Sequence, residues 1–232
     1  MTDATSSAPA RVRGVLFDRD DTIAFTDPGV YREAAAWAAG HYGLDPRAVG
    51  QALQAQWAAQ EDPAHVGGWW GLRSPQDEDA YWQTYGRQLA ARFGVPETEI
   101  GAMLEHWPYQ SYMKPVPSAR TVLGELRSRG VTVGVLSNTL PSIGATLEAM
   151  NLADVVDVAI ASCTLGVHKP EPDAFLQAAE LMKLPVGEIL FIDDKRENVE
   201  AARRVGMQAE VIDLKGEQPG AIHSLDAVLE RV

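Results

Sequence analysis

The chain has 232 residues, of which 46% are hydrophobic and 22% charged, a balance that argues against wholesale disorder. A formal net charge of −12 argues against duplex nucleic acid and an anionic membrane surface as partners, because both are bound through clustered basic side chains. The single cysteine, Cys163, excludes an intrachain disulfide and a multi-cysteine metal site.

Residues 1–10, MTDATSSAPA, are small and polar and read as a mobile tail. They lack the basic and apolar regions of a secretory leader. No stretch reaches the roughly 18–20 apolar residues of a membrane span, so the expected compartment is the cytoplasm. Residues 12–17, VRGVLF, form a short β-branched apolar run, the pattern of a strand buried on both faces of a parallel sheet. The polar cluster Asp18-Arg19-Asp20-Asp21-Thr22 follows.

From residue 27 to 105 the pattern is helical. Asp27-Pro28, Asp45-Pro46 and Ser74-Pro75 each place an N-cap acceptor before a proline at the first helical position. Helices are expected over 31–42, 48–60, 76–93 and 97–105, the first ending at Gly43 and the third at Gly94. Between the second and third lies a Gly-rich loop, HVGGWWGLR, carrying Trp69 and Trp70. All six Trp and all six Tyr of the chain fall between Tyr31 and Tyr112. Trp37 and Trp57 sit at helical spacing and are expected to fill the small core of this insert. Trp69 and Trp70, off any helix face, are expected to meet the substrate or the neighbouring domain.

After Lys114-Pro115-Val116-Pro117 the texture changes. Helices over 118–129, 142–150, 172–182 and 196–205 alternate with strands over 131–137, 155–161, 188–193 and 208–214, and a last helix is expected over 222–231. That alternation implies a Rossmann-like, doubly wound α/β sheet. The expected organisation is an α/β core of residues 11–24 and 114–232, with an inserted helical cap domain at 25–113.

In such a sheet the ligand site lies beyond the C-terminal strand ends. Four of those ends carry chemistry here: Asp18, Asp20 and Thr22; Ser137 and Asn138; Lys169 in the loop GVHKPEPDAF; and Asp193-Asp194, with Asn198 one helical turn later. Asp18, Asp20, Asp193 and Asp194 would place four carboxylates together, which needs compensation. A hard divalent cation held by oxygens supplies it, and one Mg2+ is the expected cofactor. Lys169 adds a fixed positive charge, and Ser137 a hydroxyl, for an anionic phosphate. An aspartate is a competent nucleophile for phosphorus, and a second can protonate the leaving oxygen and then activate water.

These segments resemble the motifs of the haloacid dehalogenase superfamily. VLFDRDDTI is similar to its first motif, VLSNT to the second, Lys169 and its loop to the third, and FIDDKRENVEAARRVGM to the acidic fourth. The insert resembles the C1-type helical cap of phosphoglycolate phosphatase-like members. The resemblance implies that Asp18 is nucleophile and metal ligand, and that Asp20 is acid/base with its main-chain carbonyl on the metal. It implies that Thr22 orients the loop and that Ser137, aided by Asn138, binds the phosphoryl group. Lys169 would neutralise nucleophile and phosphate, Asp194 would bind the metal with Asp193 beside it, and Asn198 would stand behind them. Asp21 occupies a position that is often Gly in the family.

The family's dehalogenases lack a second catalytic aspartate, so Asp20 and the Asp193-Asp194 pair favour phosphoryl transfer. A Schiff-base phosphonatase needs a cap lysine, and no lysine lies between Thr26 and Met113. The implied activity is a Mg2+-dependent phosphatase acting on a small phosphorylated metabolite. A sugar-phosphate mutase and a non-catalytic binding protein are the alternatives. The five histidines show no metal-ligand spacing, and Cys163 is expected to be buried.

Overall fold

The computed structural model describes residues 11–60, 65 and 67–232. The expected tail, residues 1–10, lies outside them. In chain order the elements are β1 (Gly14–Phe17), β2 (Ala24–Thr26), α1 (Pro28–Tyr42), α2 (Pro46–Gln60), α3 (Pro75–Phe93), α4 (Glu97–His106) and β3 (Met113–Pro115). They continue with α5 (Ala119–Ser128), β4 (Thr132–Ser137), α6 (Ile143–Ala149), β5 (Val158–Ala161) and α7 (Ser162–Leu165). The last are α8 (Pro172–Met182), β6 (Ile189–Asp193), α9 (Arg196–Arg204) and β7 (Gln208–Val211). No helix of the described residues is long and apolar enough to cross a membrane.

Five strands form one parallel sheet in the order β5-β4-β1-β6-β7. The chain leaves β1 for β4 and β5 on one side, then returns to β6 and β7 on the other. Alternate side chains sort to opposite faces, as the pleat requires. Val15, Phe17, Val133 and Ile192 pack with the apolar residues of α5 and α6. Leu16, Leu136 and Phe191 pack with those of α8 and α9. The sheet is therefore covered on both faces, the doubly wound arrangement expected from the alternating pattern. A Cβ at Gly134 would stand 2.9 Å from Met182 Sδ and 3.0 Å from Leu16 Cδ1, so the missing side chain lets α8 approach the sheet.

The three cap signals form as expected. Asp27 accepts from the Gly29 amide at 2.7 Å, Asp45 from Ala48 at 2.8 Å and Ser74 from Asp77 at 3.2 Å. α1 and α3 end at Gly43 and Gly94, both left-handed with φ of 68° and 69°. Helices α1–α4 occupy the chain between β2 and β3, which pair antiparallel as Ala24–Pro115, Phe25–Lys114 and Thr26–Met113. This two-stranded ribbon ties the two crossings between the sheet and the helices.

Three expected elements change. The last helix is a 3₁₀ segment, Leu225–Glu230, capped by Ser224. Its buried Leu225 and Val228 recur every three residues, and a 3₁₀ turn aligns that spacing on one face. The strand expected from residue 155 begins at Val158, because Ala153–Val155 is a 3₁₀ turn. The strand expected through 214 ends at Val211, where Asp213 turns the chain by accepting the amides of Lys215 and Gln218 at 3.0 and 2.5 Å.

Candidate active site

A cleft of about 690 Å³ opens at the C-terminal ends of β1, β4 and β6, where the strand order reverses. Its wall includes Asp18, Asp20, Ser137, Asn138, Lys169 and Asp194 from the sheet side. Trp57, Trp69, Trp70 and Tyr109 close it from the helical side. The loop after Asp18 turns tightly enough that the Arg19 carbonyl accepts from both Ile23 and Ala24 at 3.0 and 2.9 Å. Asp21 takes a left-handed φ of 53° in that turn, which aspartate tolerates better than most residues.

The centre of the site is a buried ion cluster. Lys169 Nζ donates to Asp18 Oδ1 at 2.6 Å and to Asp193 Oδ2 at 2.7 Å. Asn138 fixes the lysine's backbone through a reciprocal pair, its Nδ2 donating to the Lys169 carbonyl at 2.8 Å and its Oδ1 accepting the Lys169 amide at 3.0 Å. Burial pushes the Asp18 carboxyl up, and Asp193 and Asp20 add to the rise against the pull of Lys169, to about 8. Burial alone would lower Lys169, but the carboxylates of Asp18 and Asp193 outweigh it and hold the amine above its ordinary value. Asp194, half-buried beside Asp193, is pushed up to about 6, first by burial and then by that neighbour.

Asp193 differs from its neighbours. It is fully buried and does not line the cleft. Asn198 Nδ2 donates to both of its oxygens at 3.0 Å, and the Lys195 amide donates to Oδ1 at 2.8 Å. Its carboxylate is thus occupied from below, and it serves as an anchor for Lys169. Thr22, expected to orient the loop at the phosphate site, is also fully buried and off the cleft wall, and its Oγ1 has no partner among the described residues. The tight turn after Arg19 rotates that side chain into the interior.

Carboxylate oxygens of Asp18, Asp193 and Asp194 lie within 4.8 Å of one another. The donor set is all oxygen, and one lysine balances three acids. The Asp194 carboxylate accepts no hydrogen bond among the described residues, although the residue is partly buried; only its main-chain carbonyl accepts, from Gln218 Nε2 at 3.3 Å. These residues fit a hard divalent cation.

Arg19, whose part the sequence left open, is the largest fully buried side chain of the protein's described residues. Its Nε and Nη2 grip Asp20 at 3.1 and 3.0 Å, Nη2 also donates to Tyr109 Oη at 2.8 Å, and Nη1 to Thr146 Oγ1 at 3.2 Å. Tyr109 Oη lies 3.2 Å from Thr139 Oγ1. One guanidinium therefore joins Asp20, the segment after α4, and α6.

Trp69 and Trp70 are in a short 3₁₀ turn, Trp69–Gly71, rather than an open loop. They stack on each other at 4.1 Å, and Trp70 meets the His168 ring edge-on at 4.7 Å. His168 bridges Ser162 Oγ at 2.8 Å and the Trp70 carbonyl at 3.0 Å. The pair thus abuts the loop that carries Lys169, and both rings line the cleft. Trp57 packs partly buried against the helical core as expected, and it also lines the cleft, stacked on Tyr109 at 5.3 Å and 23°. Trp37 lies half-buried between the rings of His41 and His106 at 4.7 and 5.2 Å. Cys163 is buried as expected, and burial pushes its thiol up to about 12.

The family profile of haloacid dehalogenase-like hydrolases matches residues 12–206. The chain belongs to this family. A phosphatase of Mycobacterium tuberculosis (strain CDC 1551 / Oshkosh) is 33% identical over 169 residues, covering 70% of this chain and 77% of that protein. The phosphoglycolate phosphatase of Yersinia pseudotuberculosis serotype I (strain IP32953) is 27% identical over 202 residues, covering 84% of this chain and 78% of its own. The crystal structure of a haloacid dehalogenase-type phosphatase from Thermococcus onnurineus superposes with a TM-score of 0.64 over 94% of this chain and 97% of that one. At 21% identity that likeness shows the shared fold.

Proposed function

We propose that this haloacid dehalogenase-like hydrolase is a phosphatase that cleaves a small phosphate monoester through an aspartyl-phosphate on Asp18. The observation that carries the reading is the Asp18–Lys169–Asp193 cluster, open to the cleft through Asp18 and flanked by Asp20 and Asp194. The phosphatase names of the relatives support it. Asp18, Asp194 and the Asp20 carbonyl would hold one Mg2+, with Asp193 beside them. The cation supplies charge neutralisation at the carboxylates and the phosphate.

Asp18 attacks phosphorus and the bond to the leaving alcohol breaks, with Asp20 giving that oxygen its proton. Water then cleaves the acyl-phosphate, and Asp20 takes the proton back. Lys169 and the Ser137 hydroxyl hold the phosphoryl oxygens, and Asn138 keeps Lys169 in place. Residues 25–113 act as a cap that closes over the site and keeps bulk water out. The test is release of inorganic phosphate from a panel of phosphate monoesters with and without MgCl2. Isomerised sugar phosphate without free phosphate would overturn the reading in favour of a mutase.

The raised carboxyls add a pH signature independent of turnover. Asp18 and Asp194 have folded pKa values above their unfolded ones, so without metal their burial costs stability as pH rises from the ordinary carboxylate range toward about 8. A bound cation offsets that cost and has fewer protons to displace at high pH. Ten-millimolar MgCl2 is therefore expected to raise the melting temperature more at pH 8.5 than at pH 6, on the order of several degrees. An equal shift at both pH values would remove these carboxylates from the metal site.

A further inference from the structure

A second cavity of about 320 Å³ lies among the helices, next to the cleft. Tyr31, Trp57, Tyr109 and Tyr112 belong to the walls of both, so the two spaces adjoin. Seven of the fourteen side chains around the second cavity are Trp or Tyr, and none is Lys, Arg or His. Its one acid is Glu105. We propose that the substrate is the phosphate monoester of a bulky, flat, uncharged ring alcohol, whose ring fills this aromatic cavity while the phosphate rests at Asp18. The inference rests on the phosphatase reading, which supplies the bond that breaks.

Charge argues first. A small acid such as phosphoglycolate carries a carboxylate that needs a cation at its far end. Among the described residues of the cleft wall, Arg19 is committed to Asp20 and Tyr109, and Lys169 to Asp18 and Asp193. Both ring nitrogens of His168 are engaged, and burial lowers its pKa. Lys195, the remaining cation of that wall among the described residues, stands next to Asp194 and offsets that carboxylate's charge. The aromatic cavity offers no cation at all among the described residues.

Shape argues second. Trp57 lies nearly parallel to Tyr109, and Trp82 sits 5.9 Å from the same ring, so the wall presents flat faces. Faces of this kind favour a stacked ring over a branched chain. Trp107 lines the cavity, and its buried Nε1–H has no partner among the described residues. The volume suits a two-ring group. Hydrolysis breaks the phosphorus–oxygen bond to the alcohol, places the water oxygen on phosphorus and returns a proton to the freed ring alcohol.

The experiment compares 2-(2-naphthyl)ethyl phosphate, ethyl phosphate and 2-phosphoglycolate with MgCl2, since all three release a primary oxygen. It also measures binding of 2-(2-naphthyl)ethanol by tryptophan fluorescence. The naphthyl ester is expected to exceed the other two in kcat/KM by at least about a hundredfold. Leu104→Trp, and separately Leu53→Phe, fill the cavity; each should cut that preference and weaken alcohol binding at least about tenfold. Preference for phosphoglycolate, or a ratio that neither filled variant moves, would overturn the ring site and leave the phosphatase reading standing. Alcohol binding that both variants weaken, with no ester hydrolysed, would keep the ring site and overturn the phosphatase reading.

Discussion

The Asp18→Asn variant is expected to lose at least about 10⁴-fold in kcat and to form no phosphoenzyme. An amide in place of the carboxylate cannot displace an alkoxide from phosphorus to give an acyl-phosphate. The fold should persist, because Lys169 keeps Asp193 at 2.7 Å and the substituted amide's oxygen can still accept its proton. Stability at pH 8 should hold or rise. Asp18 is buried with a folded pKa raised to about 8, so ionising it opposes folding as pH climbs from the unfolded carboxylate range. Asparagine removes that cost. The measurements are phosphate release, labelling of the protein by a 32P-ester, and the melting temperature at pH 8. Retained cation-dependent turnover with label on the protein would refute the assignment of Asp18 as nucleophile.

What could be read from the sequence was local. The run before Asp18 is apolar and β-branched, so it makes a buried strand wherever it sits, and its polar successor must emerge at the strand end. Asp27, Asp45 and Ser74 cap helices through amides two or three residues away, a contact that needs no tertiary knowledge. Asp21 could be expected to tolerate a left-handed turn for the same reason. The convergence of Asp18, Lys169 and Asp194 followed from parallel strands ending on one rim.

The unread part depended on distant residues. Arg19 looks like an ordinary surface spacer, and its burial requires Tyr109 and Thr146, which lie 90 and 127 residues away. The β2–β3 ribbon has three residues in each strand, too few for a period of two to register. Trp57 has the spacing of a core residue, and only the approach of Tyr109 turns it into a wall of the cleft. The resemblance separates Asp194, as metal ligand, from Asp193 beside it, but does not give the part that Asp193 plays beneath Lys169. The strand's pleat sends one beneath the site and the other into it.

That division makes Lys169 the residue on which the site's electrostatics turn. Lys169→Met keeps the length of the buried side chain and removes its charge, leaving Asp18 and Asp193 without their common partner. Removing one member of a buried ion pair costs on the order of 3–5 kcal/mol, because the other is left uncompensated. The sign with pH is specific. Lys169 has a folded pKa above its ordinary value, so in the wild type its contribution is fully present below the normal lysine range and is lost only above it. In the variant Asp18 loses the pull of Lys169 and its carboxyl rises further, so folding binds a proton that the unfolded chain releases. The loss should therefore be small near pH 4 and grow steadily toward pH 8. A melting-temperature gap that is equal at pH 5 and pH 8 would show that Lys169 acts by packing rather than by charge. Turnover should fall at least about 10³-fold at any pH at which the variant folds, since the developing charge on phosphate loses its fixed counter-ion. Combining Lys169→Met with Asp18→Asn removes both ends of one pair, so the double variant should be more stable at pH 8 than Lys169→Met alone. No recovery in the double variant would mean that Asp193, fully buried beneath the lysine, is the carboxylate whose charge Lys169 chiefly balances.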